Sequence, residues 1–297
     1  MYKFSHYINS KVLMEFIKLT GPAGMFFIMF SLALSLKMSA FAGVFKNPIS
    51  FYLGLICQII GMPLIGFIIA LTIPFPMEVK VGIILITCLP SAVTSNYISK
   101  KLGGNVPLSI CLTATTSLLA FVSIPIIIKV YYLVVFQDQS TLIFNTGLIP
   151  ASLKIFAIVT IPVILGIIFN TIFPNFAKKI DPIFDKISAL LFVFIVGIAV
   201  YQDLNLIPEY IKFAGVKTVL IFVLAFFMTV MLSKLFKLNE SDKITITIET
   251  VLQNGGMGII LGALMFDNVK YIFPVAAYAL LQYLFILIYF TYIKIKK

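Results

Sequence analysis

Apolar residues run through this chain for roughly 20 positions at a time, separated by short stretches where lysine, proline, asparagine and acidic residues collect. A bilayer core of about 30 Å is crossed by roughly 20 residues of helix. On that measure the pattern predicts about nine spans. They run from about Thr20 to Leu36, Ile49 to Ile73, Lys80 to Lys101, Val106 to Val134, Leu148 to Phe169, Ile183 to Val200, Ile211 to Leu235, Lys243 to Phe266 and Phe273 to Ile293. The segments Lys37 to Pro48 and Phe136 to Asn145 read as loops. Residues before Thr20 carry Lys3, His6, Lys11, Glu15 and Lys18 without an uninterrupted apolar core, so they read as an interfacial lead-in and not as a cleavable signal peptide. The expected fold class is an all-α polytopic membrane protein.

Two of these spans are interrupted. The third breaks at Pro90-Ser91-Ala92-Val93-Thr94-Ser95-Asn96, and the eighth breaks between Glu249 and Gly256. Unwound backbone survives at membrane depth only where it lines a cavity or is buried against protein. A break in the second-to-last span of each half of the chain predicts inverted repeats with two crossed discontinuous helices and a binding site where they meet. The expected organisation is a single integral membrane domain over 1–297, with a first repeat at about 19–134 and a second at about 147–293. The halves hold four and five spans, so one repeat lacks its first helix.

Composition agrees. The chain is 61% hydrophobic and 11% charged, about half the usual charged fraction, which excludes an ordinary water-soluble domain. The net charge of +11 would point to nucleic acid in a soluble protein. Here the lysines gather between apolar segments, as topology signals do, and nucleic-acid binding is rejected. Lys37, Lys46, Lys100, Lys101, Lys178, Lys179, Lys186, Lys234, Lys237, Lys243 and the C-terminal lysines fall on one side. Lys80, Lys129, Lys154, Lys212, Lys217, Lys270 and the N-terminal lysines fall on the other. The bias predicts a multi-pass cell-membrane protein with its C-terminus in the cytoplasm and its N-terminus outside. No protein partner is evident beyond the lipid bilayer.

The chemistry concentrates at the breaks. Glu249 is the one acidic residue deep in a hydrophobic run, and an ionised carboxylate there needs a cation, a cavity or hydrogen bonds. Ser95, Asn96, Ser109, Thr113, Gln58 and Gln253 can supply neutral oxygens, and frayed carbonyls can complete a shell suited to a small monovalent cation. Ser109 and Thr113 are four residues apart and so share one helix face. Two plainer readings stand beside this one: a protonated Glu249 bonded to a neighbouring helix, and hydroxyls bonded back to the preceding turn. Every basic residue is lysine, so no guanidinium fork is available to an anionic ligand. Cys57, Cys88 and Cys111 are far apart in apolar runs and read as small hydrophobes. The single histidine, His6, removes His-based catalysis and most transition-metal sites.

Three blocks of the chain resemble the bile acid:sodium symporter family. They are Cys57-Gln58-Ile59-Ile60-Gly61-Met62-Pro63; Cys88-Leu89-Pro90 through Ser95-Asn96 to Gly104-Asn105-Val106-Pro107-Leu108-Ser109; and Glu249 through Gln253-Asn254-Gly255. The resemblance extends to Ile28-Met29-Phe30 and Phe273-Pro274. It implies a panel of helices at about 20–36, 148–169 and 183–200 moving against a core made of the others, with two sodium ions coupled to uptake of an organic anion. Carried over by position, one sodium would lie among Ser95, Asn96, Ser109, Thr113 and Glu249. The other would use Gln58, Glu249, Gln253 and the carbonyls of Thr250 and Leu252. Asn254 would face substrate, with Val93, Thr94 and Gly255 at the edges of the breaks and Gln282 reaching the same cavity. The chain departs from the family where members read Pro-Gly-Gly-Thr-Ala-Ser-Asn: the glycines are absent, and Val93 replaces a threonine. The sodium ligands are kept, while the substrate group is altered.

The expected function is therefore sodium-coupled symport of a small bile-acid-like, keto or hydroxy acid by alternating access. A proton-coupled transporter with Glu249 as the proton carrier is the alternative. An intramembrane enzyme would need paired carboxylates, a metal motif or a nucleophile with its base, and the sequence has none of these.

Overall fold

The computed structural model describes residues 2–34, 48–136, 148–202, 215–266 and 269–296, and every regular element among them is helical. Helix α1 (Tyr2–Leu34) carries the polar lead-in directly into the first apolar segment. Helix α2 (Pro48–Thr72) opens on a proline, whose missing N–H is no loss at a helix start. Its middle, Cys57–Gly61, is a π turn in which the Met62 N–H donates to the Cys57 carbonyl five residues back. Pro63 follows at once and cannot donate to the preceding turn, so the wider register lies where the proline would otherwise leave the ladder broken.

The third span is split into α3 (Met77–Thr87) and α4 (Thr94–Leu102). Helix α4 ends on Gly103, whose φ of 82° is left-handed and suits glycine. Helix α5 (Val106–Phe136) follows. Helix α6 is built from Leu148–Ile155, a π turn Phe156–Thr160 and Ile161–Ile172, with Pro162 again just behind the π turn. Helix α7 (Pro174–Gln202) begins well before the expected Ile183, because Asn175 to Pro182 winds as helix despite its charges. After α8 (Val216–Leu235) the eighth span is split into α9 (Glu240–Val251) and α10 (Gly255–Met265). A short 3₁₀ turn, Val269–Tyr271, leads into α11 (Phe273–Lys296). The expected loops at Lys37 to Pro48 and Phe136 to Asn145, the end of the first span at Leu36 and the start of the seventh at Ile211 lie largely or wholly outside the described residues.

Among the described residues, five helices are long and apolar enough to cross a membrane unaided, and Lys18–Leu34 and Gly255–Met265 are shorter apolar helices. On α2, Ile60, Leu64 and Ile68 recur every fourth residue and are 53%, 55% and 55% exposed. A periodic outward apolar stripe of this kind is the surface that hydrocarbon covers. With no strand among the described residues, the molecule is an all-α polytopic membrane protein. Helix α1 packs along α6 and α7, while α9 is enclosed by α2, α4, α5 and α8, and α10 by α1, α3 and α11. The broken helices thus occupy the interior, with Leu85, Ile248, Leu252, Ile260 and Leu261 almost completely buried around them.

Candidate functional site

The two breaks meet. Between α3 and α4, and between α9 and α10, the chain is extended for a few residues, and Ser91 and Gln253 form an antiparallel bridge. The Ala92 N–H donates to the Leu252 carbonyl (2.8 Å), and the Asn254 N–H donates to the Pro90 carbonyl (2.9 Å). Each break therefore satisfies backbone groups that the other leaves orphaned, which is what allows both to persist away from water. Pro90 enters this pairing only as an acceptor, so its lack of an N–H is harmless. Helix α11 braces the crossing: Gln282 Oε1 accepts the Gln253 N–H (3.0 Å), and the Tyr278 hydroxyl donates to the Val251 carbonyl (2.7 Å). Asn254 Oδ1 accepts the Met257 N–H (3.0 Å) and so caps α10.

Glu249 lies at this crossing and is fully buried. One carboxylate oxygen accepts the Ser109 hydroxyl. The other accepts Ser91 (2.5 Å) and Thr113 (2.7 Å). Ser91 and Thr113 are also within 2.9 Å of each other, Ser95 is 3.4 Å from Thr113, and Ser109 is 2.8 Å from Asn96 Oδ1. These groups come from α5, the first break, the start of α4 and the last turn of α9. A carboxylate in the last turn of a helix sits at the negative end of the helix dipole, so its own helix does not stabilise its charge. The hydroxyls each donate one hydrogen to the carboxylate and keep lone pairs free. The result is a compact cluster of oxygens with one formal negative charge, buried between two helix ends.

Further buried groups are left without partners beside it. Gln58 Oε1 and Nε2, Thr250 Oγ1, Gln253 Oε1 and Gln282 Nε2 make no hydrogen bond. Gln58 sits on the π turn of α2, which packs against α9. Orphaned buried oxygens of this kind are exceptions that call for an ion or a water. Their chemistry, one carboxylate with hydroxyl, amide and carbonyl oxygens, fits a hard cation of low charge. Among the described residues no group of three or more His, Cys, Asp and Glu gathers in the way a transition metal or a divalent ion would need.

The structure brings Ser95, Asn96, Ser109, Thr113 and Glu249 into one hydrogen-bonded cluster. In the second expected set, Gln253 Nε2 donates to the Thr250 carbonyl (2.7 Å), while the Leu252 carbonyl is engaged by Ala92. No hydrogen bond joins Gln58 to that set. Among the groups expected near substrate, Val93 is half-buried and Thr94 is exposed, 3.5 Å from the Tyr283 hydroxyl. Asn254 is 6% exposed, Gly255 is packed on Ala279, and Gln282 is buried behind the crossing.

Two features escaped the sequence reading. Ser91 touches Glu249 directly; its position inside the first break was the available signal. Asp242, one residue before the expected start of the eighth span at Lys243, is 2% exposed. It accepts hydrogen bonds from Ser50 (2.6 Å), Asn105 (2.7 Å) and Asn239 (3.0 Å), tying α2, the start of α5 and the start of α9 together.

A protein-family model described as the sodium bile acid symporter family matches residues 22–210. The chain belongs to that family. It is 30% identical over 252 residues to the probable sodium/metabolite cotransporter BASS2, chloroplastic, of Oryza sativa subsp. japonica, a match covering 82% of this chain and 57% of the relative. It is 27% identical to the uncharacterized sodium-dependent transporter YocS of Bacillus subtilis, over 81% of this chain and 72% of the relative. The human ileal sodium/bile acid cotransporter is 27% identical over 281 residues, 91% of this chain and 77% of the relative. The chain spans a little under three fifths of the length of the rice and Arabidopsis thaliana relatives. The printed names of these relatives are those of sodium-dependent transporters and cotransporters. Glu249 and Gln253 lie beyond the matched residues, so their part in the site rests on the geometry of the crossing.

Proposed function

We propose that the protein is a sodium-coupled symporter that carries a small organic anion across the cell membrane by alternating access. The observation that carries this is the buried Glu249 carboxylate, ringed by Ser91, Ser109 and Thr113 at the crossing of the two broken helices. Sodium neutralises Glu249 within the cluster of Ser95, Asn96, Ser109 and Thr113. A second sodium uses the orphaned oxygens of Gln58 and Gln253 together with the Thr250 and Leu252 carbonyls. With both ions in place the crossing holds one shape, and the N-terminal ends of α4 and α10 present N–H groups and partial positive charge to a carboxylate substrate. Val93, Thr94, Asn254 and Gly255 border that position, while Gln282 and Tyr278 hold the crossing from behind. Helices α1, α6 and α7 form the panel that moves against the remaining core. An inward-negative potential favours sodium entry by about 2.3 kcal/mol per charge per 100 mV. Lysine bias puts the C-terminus in the cytoplasm.

The test is uptake into proteoliposomes of radiolabelled taurocholate, pyruvate and pantoate, under a sodium gradient at fixed pH and under a pH gradient without sodium. Accumulation driven by sodium alone is expected for one of these acids, and none in the Glu249→Ala variant. Accumulation driven equally well by the pH gradient would make Glu249 a proton carrier and overturn sodium coupling.

A further inference from the structure

A second site lies on the opposite side of α9 from the carboxylate. A cavity of about 710 Å³ opens between the end of α8, the first turns of α9 and the end of α11. That volume falls within the roughly 300–1,000 Å³ usual for pockets that hold a discrete ligand. Its long wall is apolar, built from Phe226, Phe227, Phe285, Ile288 and Tyr289. Phe226 meets Tyr289 edge-on at 5.5 Å and Phe285 edge-on at 6.0 Å, so the floor is packed and preformed. Phe227 and Ile288, at 64% and 62% exposed, form the outer lips. Both α8 and α11 are long and apolar enough to span the membrane, so a lateral opening between them is one that hydrocarbon would reach.

One end of the groove is charged. Lys234, in the last turn of α8, is exposed and makes no ion pair among the described residues. Lys243, near the start of α9, has its side chain 13% exposed, with Nζ 3.2 Å from Glu240 Oε1, and the Glu240 side chain is 74% exposed. The two lysines outweigh the single carboxylate and sit where the spans end, at the level of the polar head groups. Tyr292, at the same end of α11, supplies the amphipathic ring favoured at that depth. Ile244, which lines the groove, and Glu249 are five residues apart, about 140° around the helix. The groove and the buried carboxylate therefore occupy different faces of α9.

We propose that this groove binds an anionic phospholipid, its phosphate on Lys234 and Lys243 and an acyl chain along the wall from Phe226 to Ile288. A basic pocket between membrane helices, open to hydrocarbon along its length, matches such a molecule at both ends. A bound lipid bridges α8, α9 and α11 and fixes the helix that carries Glu249 from its outer side.

The experiment uses the full chain in detergent after delipidation. Phosphatidylglycerol and phosphatidylcholine of identical acyl composition are titrated and followed by native mass spectrometry and thermal unfolding. One retained phosphatidylglycerol and a raised melting temperature are expected, with markedly weaker retention of phosphatidylcholine. Each lysine removed is expected to weaken phosphatidylglycerol binding by about fivefold, so Lys234→Gln with Lys243→Gln weakens it by roughly 25-fold. Lys234→Gln alone, at an exposed position, gives the fivefold effect should the pair fail to fold. Lys100→Gln with Lys101→Gln removes the same charge elsewhere and leaves binding unchanged. Equal retention of the two lipids, or equal loss in the two double variants, would overturn the proposal. So would sodium-independent taurocholate binding that displaces phosphatidylglycerol and is lost with the groove lysines, because the occupant would then be a soluble amphipathic anion.

Discussion

Removing a single hydroxyl should separate a cation cage from a merely structural carboxylate. Ser109 is fully buried on α5, and among the described residues it is the side chain that donates to Glu249 Oε1. Asn96 Oδ1, 2.8 Å away, is a second acceptor for the same single hydrogen, so the hydroxyl lies between the carboxylate and the start of α4. Ser109→Ala removes a hydrogen bond to a charged group, worth about 1.5–3 kcal/mol, and with it an oxygen of the proposed sodium cage. At about 1.4 kcal/mol per tenfold, the sodium concentration for half-maximal uptake should rise by roughly 10- to 150-fold. Ser91→Ala should have a smaller effect, because Oε2 keeps the Thr113 hydroxyl at 2.7 Å. Thr116→Val is the internal control: the Thr116 hydroxyl donates back to the Leu112 (2.8 Å) and Thr113 (3.2 Å) carbonyls of its own helix and not to Glu249. The assay is initial uptake rate in proteoliposomes against sodium at constant ionic strength. An unchanged sodium dependence in a folded Ser109→Ala protein, or an equal shift in Thr116→Val, would refute the reasoning.

Two stability predictions concern the scaffold around the site. At Gly82 an added Cβ would lie 2.5 Å from the Tyr271 carbonyl and 2.7 Å from Pro274 Cγ, neither of which is a flexible side-chain tip. Gly82→Ala should therefore destabilise the protein by about 1–3 kcal/mol; a melting temperature equal to wild type would show that the α3 to α11 contact gives way freely. Asp242→Ala leaves the Ser50, Asn105 and Asn239 donors without their shared acceptor and should lower thermal stability by about 1–3 kcal/mol or more. If Asp242→Ala shifted the sodium dependence of transport and left the melting temperature unchanged, Asp242 would be an ion ligand and not a clamp.

Much of this architecture is readable from residue types alone. Long apolar runs outline the spans; Pro90 lies in the first break, and Gly255-Gly256 stand where helix resumes directly after the second. Glu249 stands out because a carboxylate at that depth is costly. Local periodicity also puts Ser109 and Thr113 on one face of α5. What could not be read is adjacency over long sequence separations. Ser91 and Glu249 are 158 positions apart, and nothing local to Ser91 distinguishes it from the other small residues of its break. Asp242, between Ser241 and Lys243, lies at the end of an apolar segment in the sequence; its burial depends on Ser50 and Asn105 arriving from other helices. Gln282 reads as a cavity residue, but in the fold its Oε1 serves the Gln253 N–H, a donor exposed only because the eighth span is broken there. The early start of α7 and the helical lead-in of α1 were hidden by charges, which mark the end of an apolar run but do not stop a helix.

The most direct test of the central claim is ion binding itself, without transport. Purified protein is unfolded thermally at increasing sodium, with potassium replacing it at equal ionic strength, for the wild type and for Glu249→Gln. A cage at the crossing predicts saturable stabilisation by sodium and not by potassium, reaching about 2.7 kcal/mol at a hundred times the dissociation constant, and its loss in Glu249→Gln. Equal stabilisation by the two ions, or a Glu249→Gln variant that responds to sodium as the wild type does, would contradict it.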